Sequence, residues 1–167
     1  MAEPQQHQGS TAGAGASEVL AGVPDGLVPL VLEELARRAA AAEPAKPPLL
    51  LHIARDDRRL EAIAEGLAFF APKLRVVQVP AWDTVPYDRI GPNSEILSRR
   101  IAGLVRLALG ARKDPTVALT TVNAVLQRLP PREFLRRSIK QLSAGQRVDR
   151  NELIQRLDLA GFTRTGT

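Results

Sequence analysis

The 167 residues are 44% hydrophobic and 25% charged, which supplies one substantial core and leaves room for at most two domains. Zero cysteines exclude a disulfide scaffold, a thiolate metal site and a cysteine nucleophile, and His7 and His52 are too few for a His-rich metal site. Residues 1–90 hold 9 Lys+Arg against 12 Asp+Glu, net −3, whereas residues 91–167 hold 14 against 6, net +8, so the basic half points to phosphate, nucleic acid or an acidic protein surface.

Residues 1–17 lack large apolar side chains and are expected to form a disordered tail. After the turn Gly22-Val23-Pro24-Asp25-Gly26, the spacing of Leu27, Leu30, Val31, Glu34, Leu35 and Arg38 predicts a helix of about a dozen residues with charges on its far side. Glu43-Pro44-Ala45-Lys46-Pro47-Pro48 stops any regular element. Leu49 to Ala54 is a continuous apolar run, as in a strand buried on both faces. Asp56 and Asp57 are placed to cap a helix reaching Phe70, with Leu60, Ile63, Ala64, Leu67 and Ala68 inward. Leu74 to Val79 reads as a second strand, followed by a long loop, residues 80–93, with three prolines. Asn93 or Ser94 then caps a helix whose apolar face is Leu97, Ile101, Leu104, Val105 and Ala108, with Arg99, Arg100 and Arg106 largely off it. Thr116 to Thr120 is a third strand and Val122 to Leu129 a short helix ended by Pro130-Pro131. Such alternation implies right-handed crossovers and a mainly parallel sheet. Beyond Pro131 a second unit is expected: a strand from Ser138 to Leu142, a turn at Gly145-Gln146 and a helix from Asp149 to Leu159, ending at Gly161.

A nucleotide-binding domain of this class needs a phosphate loop, and there is no Gly-Lys pair in the chain. Gly22 to Gly26 has the nearest shape, yet it offers Asp25 where a phosphate requires positive charge, so it reads as an ordinary helix-start turn. No catalytic triad spacing and no G-x-S-x-G is visible. The loop 80–93 holds both the single Trp82 and the single Tyr87, which suits either a recognition surface or a plug at the end of the sheet. Arg128, Arg132, Arg136, Arg137, Arg147 and Arg150 form the densest basic stretch, suited to nucleic acid, to an acidic partner or to a solvated surface.

Val79-Pro80-Ala81-Trp82-Asp83-Thr84-Val85-Pro86-Tyr87-Asp88 and Gly91-Pro92-Asn93-Ser94-Glu95-Ile96 resemble the N-terminal region of the bacterial transcription-repair coupling factor. So do Leu119 to Arg128 (LTTVNAVLQR) and Ala144-Gly145-Gln146-Arg147. The resemblance covers about residues 20–165 and extends to the N-terminal module of the excision-repair helicase. It implies a degenerate RecA-like (P-loop NTPase-like) α/β domain with a parallel sheet and flanking helices, expected over residues 18–131. The start of a small α+β domain that recruits the damage-sensing protein of excision repair is expected over 132–167.

It further implies that this segment is a non-catalytic interaction module without its own cofactor or metal. ATP and magnesium would serve a downstream motor, and RNA polymerase and double-stranded DNA would be met by downstream domains, the chain being an N-terminal part of a longer protein. With no apolar run near the roughly 20 residues of a membrane helix and no leader, a cytoplasmic location without a membrane partner is expected. Candidate interaction residues are Trp82, Asp83, Tyr87, Asp88, Arg99, Arg100, Asn123, Gln127, Arg128 and Arg147. The competing readings are a helicase fragment that retains nucleotide or DNA binding, and a stand-alone basic α/β domain that binds nucleic acid.

Overall fold

A computed structural model describes residues 19–84, 91, 93–110, 114–140, 142–159 and 165, with the backbone alone for Ser138. The expected tail, Tyr87 and Asp88 lie outside the described residues. The chain divides into two compact units at Leu129/Pro130.

The first unit is built on three parallel strands, β1 (Leu49–Ala54), β2 (Arg75–Val79) and β3 (Thr116–Thr121), in the order β1-β3-β2. β3 is central and buried along its whole length, and its register sets Leu50 and Val76 beside Val117, and His52 and Gln78 beside Leu119. Alternation along a strand therefore gives two faces. On one, Val117 and Leu119 pack with Leu32 and Ala36 of α1 (Val28–Ala42) and with Leu60, Ile63 and Leu67 of α2 (Asp57–Phe70). Helix α3 (Ser94–Leu109) runs along β2. This is an α/β fold with a parallel sheet flanked by helices, consistent with a degenerate RecA-like arrangement.

The helix starts follow capping chemistry. Asp56 accepts a hydrogen bond from the Arg59 N–H at 2.8 Å, and that bond, joined by Arg55, holds its carboxyl below the usual range. Asn93 Oδ1 accepts from the Glu95 N–H, and Thr121 Oγ1 from the Ala124 N–H at the start of α4 (Val122–Leu126). That helix is shorter than the Val122–Leu129 expected, ending before Gln127, whose side chain is used elsewhere.

Three expectations about faces are overturned. The buried side of α1 is Pro29, Leu32 and Ala36, while Leu27, Leu30 and Leu35 face solvent. The cause is close helix packing: a Cβ on Gly66 of α2 would stand 2.4 Å from Pro29 Cγ, so α1 approaches along its smaller face. In α3 the buried stripe is Arg100, Gly103, Leu104 and Ala108, with Leu97 and Ile101 left on the surface. β1 is not buried on both faces. Leu49, Leu51 and Ile53 are 41%, 60% and 47% exposed, because β1 is an outer strand and α3 lies over β2. His52, on the covered face of β1, is half-buried, and burial pushes its pKa down.

The second unit holds α5 (Arg132–Ser138) and α6 (Arg150–Leu159). The strand expected from Ser138 to Leu142 is not formed: Ser138 ends a helix, and Ile139, Lys140 and Leu142 are irregular. A strand needs a neighbour to bond its outward N–H and C=O groups, and no described residue of this unit supplies one. Gly145 takes φ +79° in the expected turn, where Gln146 closes back on Ser143. Asp149 Oδ1 accepts from the N–H groups of Asn151 and Glu152, which starts α6 and lowers its own pKa. Lys140 pairs with Glu152 at 3.0 Å, and Arg156 donates to the Arg137 carbonyl at 2.9 Å.

Candidate functional site

In parallel α/β sheets ligands are met outside the carboxyl ends of the strands, and four of the ten candidate residues, Trp82, Asp83, Arg100 and Gln127, gather there. After Val79 the chain turns through Pro80, Ala81 and Trp82 over the end of β3, where the Thr120 hydroxyl donates to the Val79 carbonyl at 2.9 Å. The Trp82 N–H donates to Gln127 Oε1 at 3.0 Å, joining the loop after β2 to the end of α4. Asp83 accepts the Asn93 N–H at 3.1 Å and 3.2 Å through its two oxygens, bringing the far end of the same loop back to its start.

Arg100 sits beneath this knot and is fully buried. Its Nη1 donates to the Pro80 carbonyl at 2.5 Å and its Nη2 to the Ala124 carbonyl at 3.4 Å, while the guanidinium carbon lies 5.2 Å from the Trp82 ring centroid. Its Nε has no hydrogen-bond partner. No described carboxylate pairs with it, so carbonyl dipoles and the indole face balance the charge, and burial pushes its pKa down. The expectation that Arg100 lies off the buried face is thus overturned. The reason is packing: Gly103, one turn on, brings α3 so close to β2 that a Cβ there would stand 2.2 Å from the Gln78 carbonyl oxygen. The same turn of α3 therefore carries Arg100 inward.

The other candidates are more peripheral. Arg99 is partly exposed and donates to Gln78 Oε1 at 2.7 Å, with Glu61 at 3.4 Å. Asn123 and Arg128 are exposed. Arg147 is exposed in the second unit, as are Arg132, Arg136, Arg137 and Arg150, of which Arg136 pairs with Glu133 at 3.5 Å. The expected basic stretch is thus shared between two units.

The helix start before α1 was legible only in part. Asp25, in the short 3-10 turn Asp25–Leu27, is gripped by both terminal nitrogens of Arg59. An anionic side chain, paired with a cation from the start of α2, therefore occupies this turn. Among the described residues there is no group of three or more His, Asp or Glu placed to hold a metal, and no helix long and apolar enough to cross a membrane.

No family model matches the chain. Individual proteins do. It is 32% identical over 124 residues to the transcription-repair-coupling factor of Escherichia coli, 31% over 121 residues to that of Myxococcus xanthus and 28% over 122 residues to that of Rickettsia conorii. The chain is a relative of the transcription-repair-coupling factors. The alignments take in 74%, 68% and 73% of this chain but only 10%, 10% and 11% of those proteins, so it spans about a tenth of the coupling factors it matches. They are consistent with an N-terminal region of the factor, as the Val79–Ile96 and Leu119–Arg128 motifs imply. In this chain those coupling-factor motifs are the residues that build the knot: Pro80, Trp82, Asp83, Asn93, Ala124 and Gln127 all lie within them.

Proposed function

We propose that this chain is a non-catalytic scaffold and interaction module of a transcription-repair coupling factor. As a whole such a protein uses ATP and magnesium to translocate on double-stranded DNA, displaces stalled RNA polymerase and recruits nucleotide-excision repair in the cytoplasm. In this reading the motor is a separate part of the protein. Residues 130–167 contribute to the surface that meets the damage-sensing protein of excision repair, and the +8 balance of residues 91–167 serves a protein partner.

The observation that carries the reading is how the carboxyl end of the sheet and the turn before α1 are filled. The carboxyl end of the sheet is closed by the Trp82 ring over Arg100, with the Arg100 and Gln127 side chains bonded to backbone groups, and the turn at Asp25 is tied to Arg59. Arg59 and Arg100 have internal partners, and Arg55 is paired with Asp56.

The test uses the full-length coupling factor carrying Asp25→Ala and Arg59→Ala together. Its DNA-stimulated ATP hydrolysis is expected to stay within about twofold of the parent, the size of effect for a surface pair remote from chemistry. A tenfold fall, corresponding to about 1.4 kcal/mol of lost transition-state stabilisation, would assign this turn to the motor and favour the helicase reading.

A further inference from the structure

Helices α2 and α3 flank a groove of about 480 Å³ on the outer side of β2. Its walls are short side chains, Ala64 and Ala68 from α2 and Ala102 from α3, and Val76 of β2 forms its floor. Only two charged residues line it, Arg99 and Arg106, and both are cationic. We propose that this groove docks an extended acidic peptide segment of a partner protein.

Three observations support that occupant. Small walls let a peptide backbone lie close without first displacing a side chain, and a groove of this volume admits one extended chain rather than a duplex. Arg99 and Arg106 are seven residues apart on α3, two turns or roughly 10 Å along the helix, and so project from the same side. A chain in the extended polyproline-II form advances roughly 3.1 Å per residue with three residues per turn, so carboxylates three residues apart lie on one side and match that interval. The arginines are also available. Arg106 has no hydrogen bond or ion pair among the described residues, and Arg99 is held by the neutral Gln78 amide and by Glu61 at 3.4 Å. A partly exposed pair of that length contributes little and yields to a better-placed acid. Docking here uses neither the knot around Arg100 nor the Asp25 turn, so it stands independently of the scaffold reading.

The test measures fluorescence anisotropy of a labelled peptide with Glu at every third position and Ala between, titrated with the whole chain at low salt. Saturable binding is expected, weakened at least tenfold by Arg106→Glu and by Ala102→Glu. The latter sets a carboxylate within one turn of both arginines and fills the slot. Circular dichroism should match the parent for both, since Arg106 and Ala102 are surface positions. Arg58→Glu makes the same charge change on an exposed position outside the groove and should leave binding within about twofold. Absence of saturation, equal loss with Arg58→Glu, equal binding of the Lys-for-Glu peptide, or displacement by an equimolar DNA duplex would each overturn the proposal.

Discussion

Gly103→Ala is expected to destabilise the first unit by roughly 2–3 kcal/mol, the upper part of the range for overpacking. In an ordinary helix interior the same change is stabilising by about 1 kcal/mol. Here the added Cβ would stand 2.2 Å from the Gln78 carbonyl oxygen and 3.0 Å from Val79 Cγ2. The obstacle is backbone of a strand bonded into the sheet, so relief requires α3 to move away from β2 as a whole. That movement would also pull Arg100 from the Pro80 and Ala124 carbonyls. Gly26→Ala is the matched control, because nothing lies within 4 Å of its added Cβ, and it should fall within about 0.5 kcal/mol of the parent. Thermal unfolding of the three proteins checks this. The expected drop for Gly103→Ala is roughly 10 °C, and equal midpoints would show that α3 does not rest on β2 as described.

Replacing Arg100 carries the second large effect, and its size depends on the replacement. Arg100→Ala removes the stem packed beneath Trp82 and leaves two buried carbonyls without their donor, for a cost of about 3–5 kcal/mol. Arg100→Met keeps most of the volume and removes a buried cation that lacks a carboxylate partner. The relieved desolvation offsets the lost bonds, so the net cost is about 1 kcal/mol or less. Trp82 is the single tryptophan, so its emission reports the knot directly. Emission should shift to the red in the Ala variant, as water reaches the ring, and stay near the parent in the Met variant. Equal stabilities for Ala and Met would mean that filling the space beneath Trp82 contributes nothing.

These two residues also mark what can be read from the sequence. In the first unit the sheet, its parallel sense and the order of elements were legible because Leu49–Ala54, Leu74–Val79 and Thr116–Thr120 are short segments rich in aliphatic and β-branched residues, bounded by proline and capping residues. Those signals are local. Which side of a helix faces inward was less legible, because α1 and α3 both carry a larger apolar stripe than the one they bury. Pro29 and Ala36 face α2, and Gly103 faces β2, because close approach needs small atoms at the contact, and periodicity weighs apolar size instead. Gly66 and Gly103, inside otherwise regular helical patterns, were the available signals of close approach. The strand expected at Ser138–Leu142 followed from residue type alone, and without a neighbouring strand residue type does not make one. Trp82 stood out as the single tryptophan, set in a proline-rich loop, whereas Asp83 and Gln127 were found through the motif resemblance. Their bonding across 10 and 45 residues is a tertiary fact that no local pattern contains.

On the scaffold reading proposed above, this domain binds no nucleotide of its own. Asp25 is tied to Arg59, and the carboxyl end of the sheet is closed over Arg100. Calorimetric titration of residues 1–167 with ATP and magnesium tests this most directly. The expected result is no saturable heat at millimolar nucleotide, whereas a one-site isotherm with a micromolar Kd, about −8 kcal/mol of binding free energy, would contradict it.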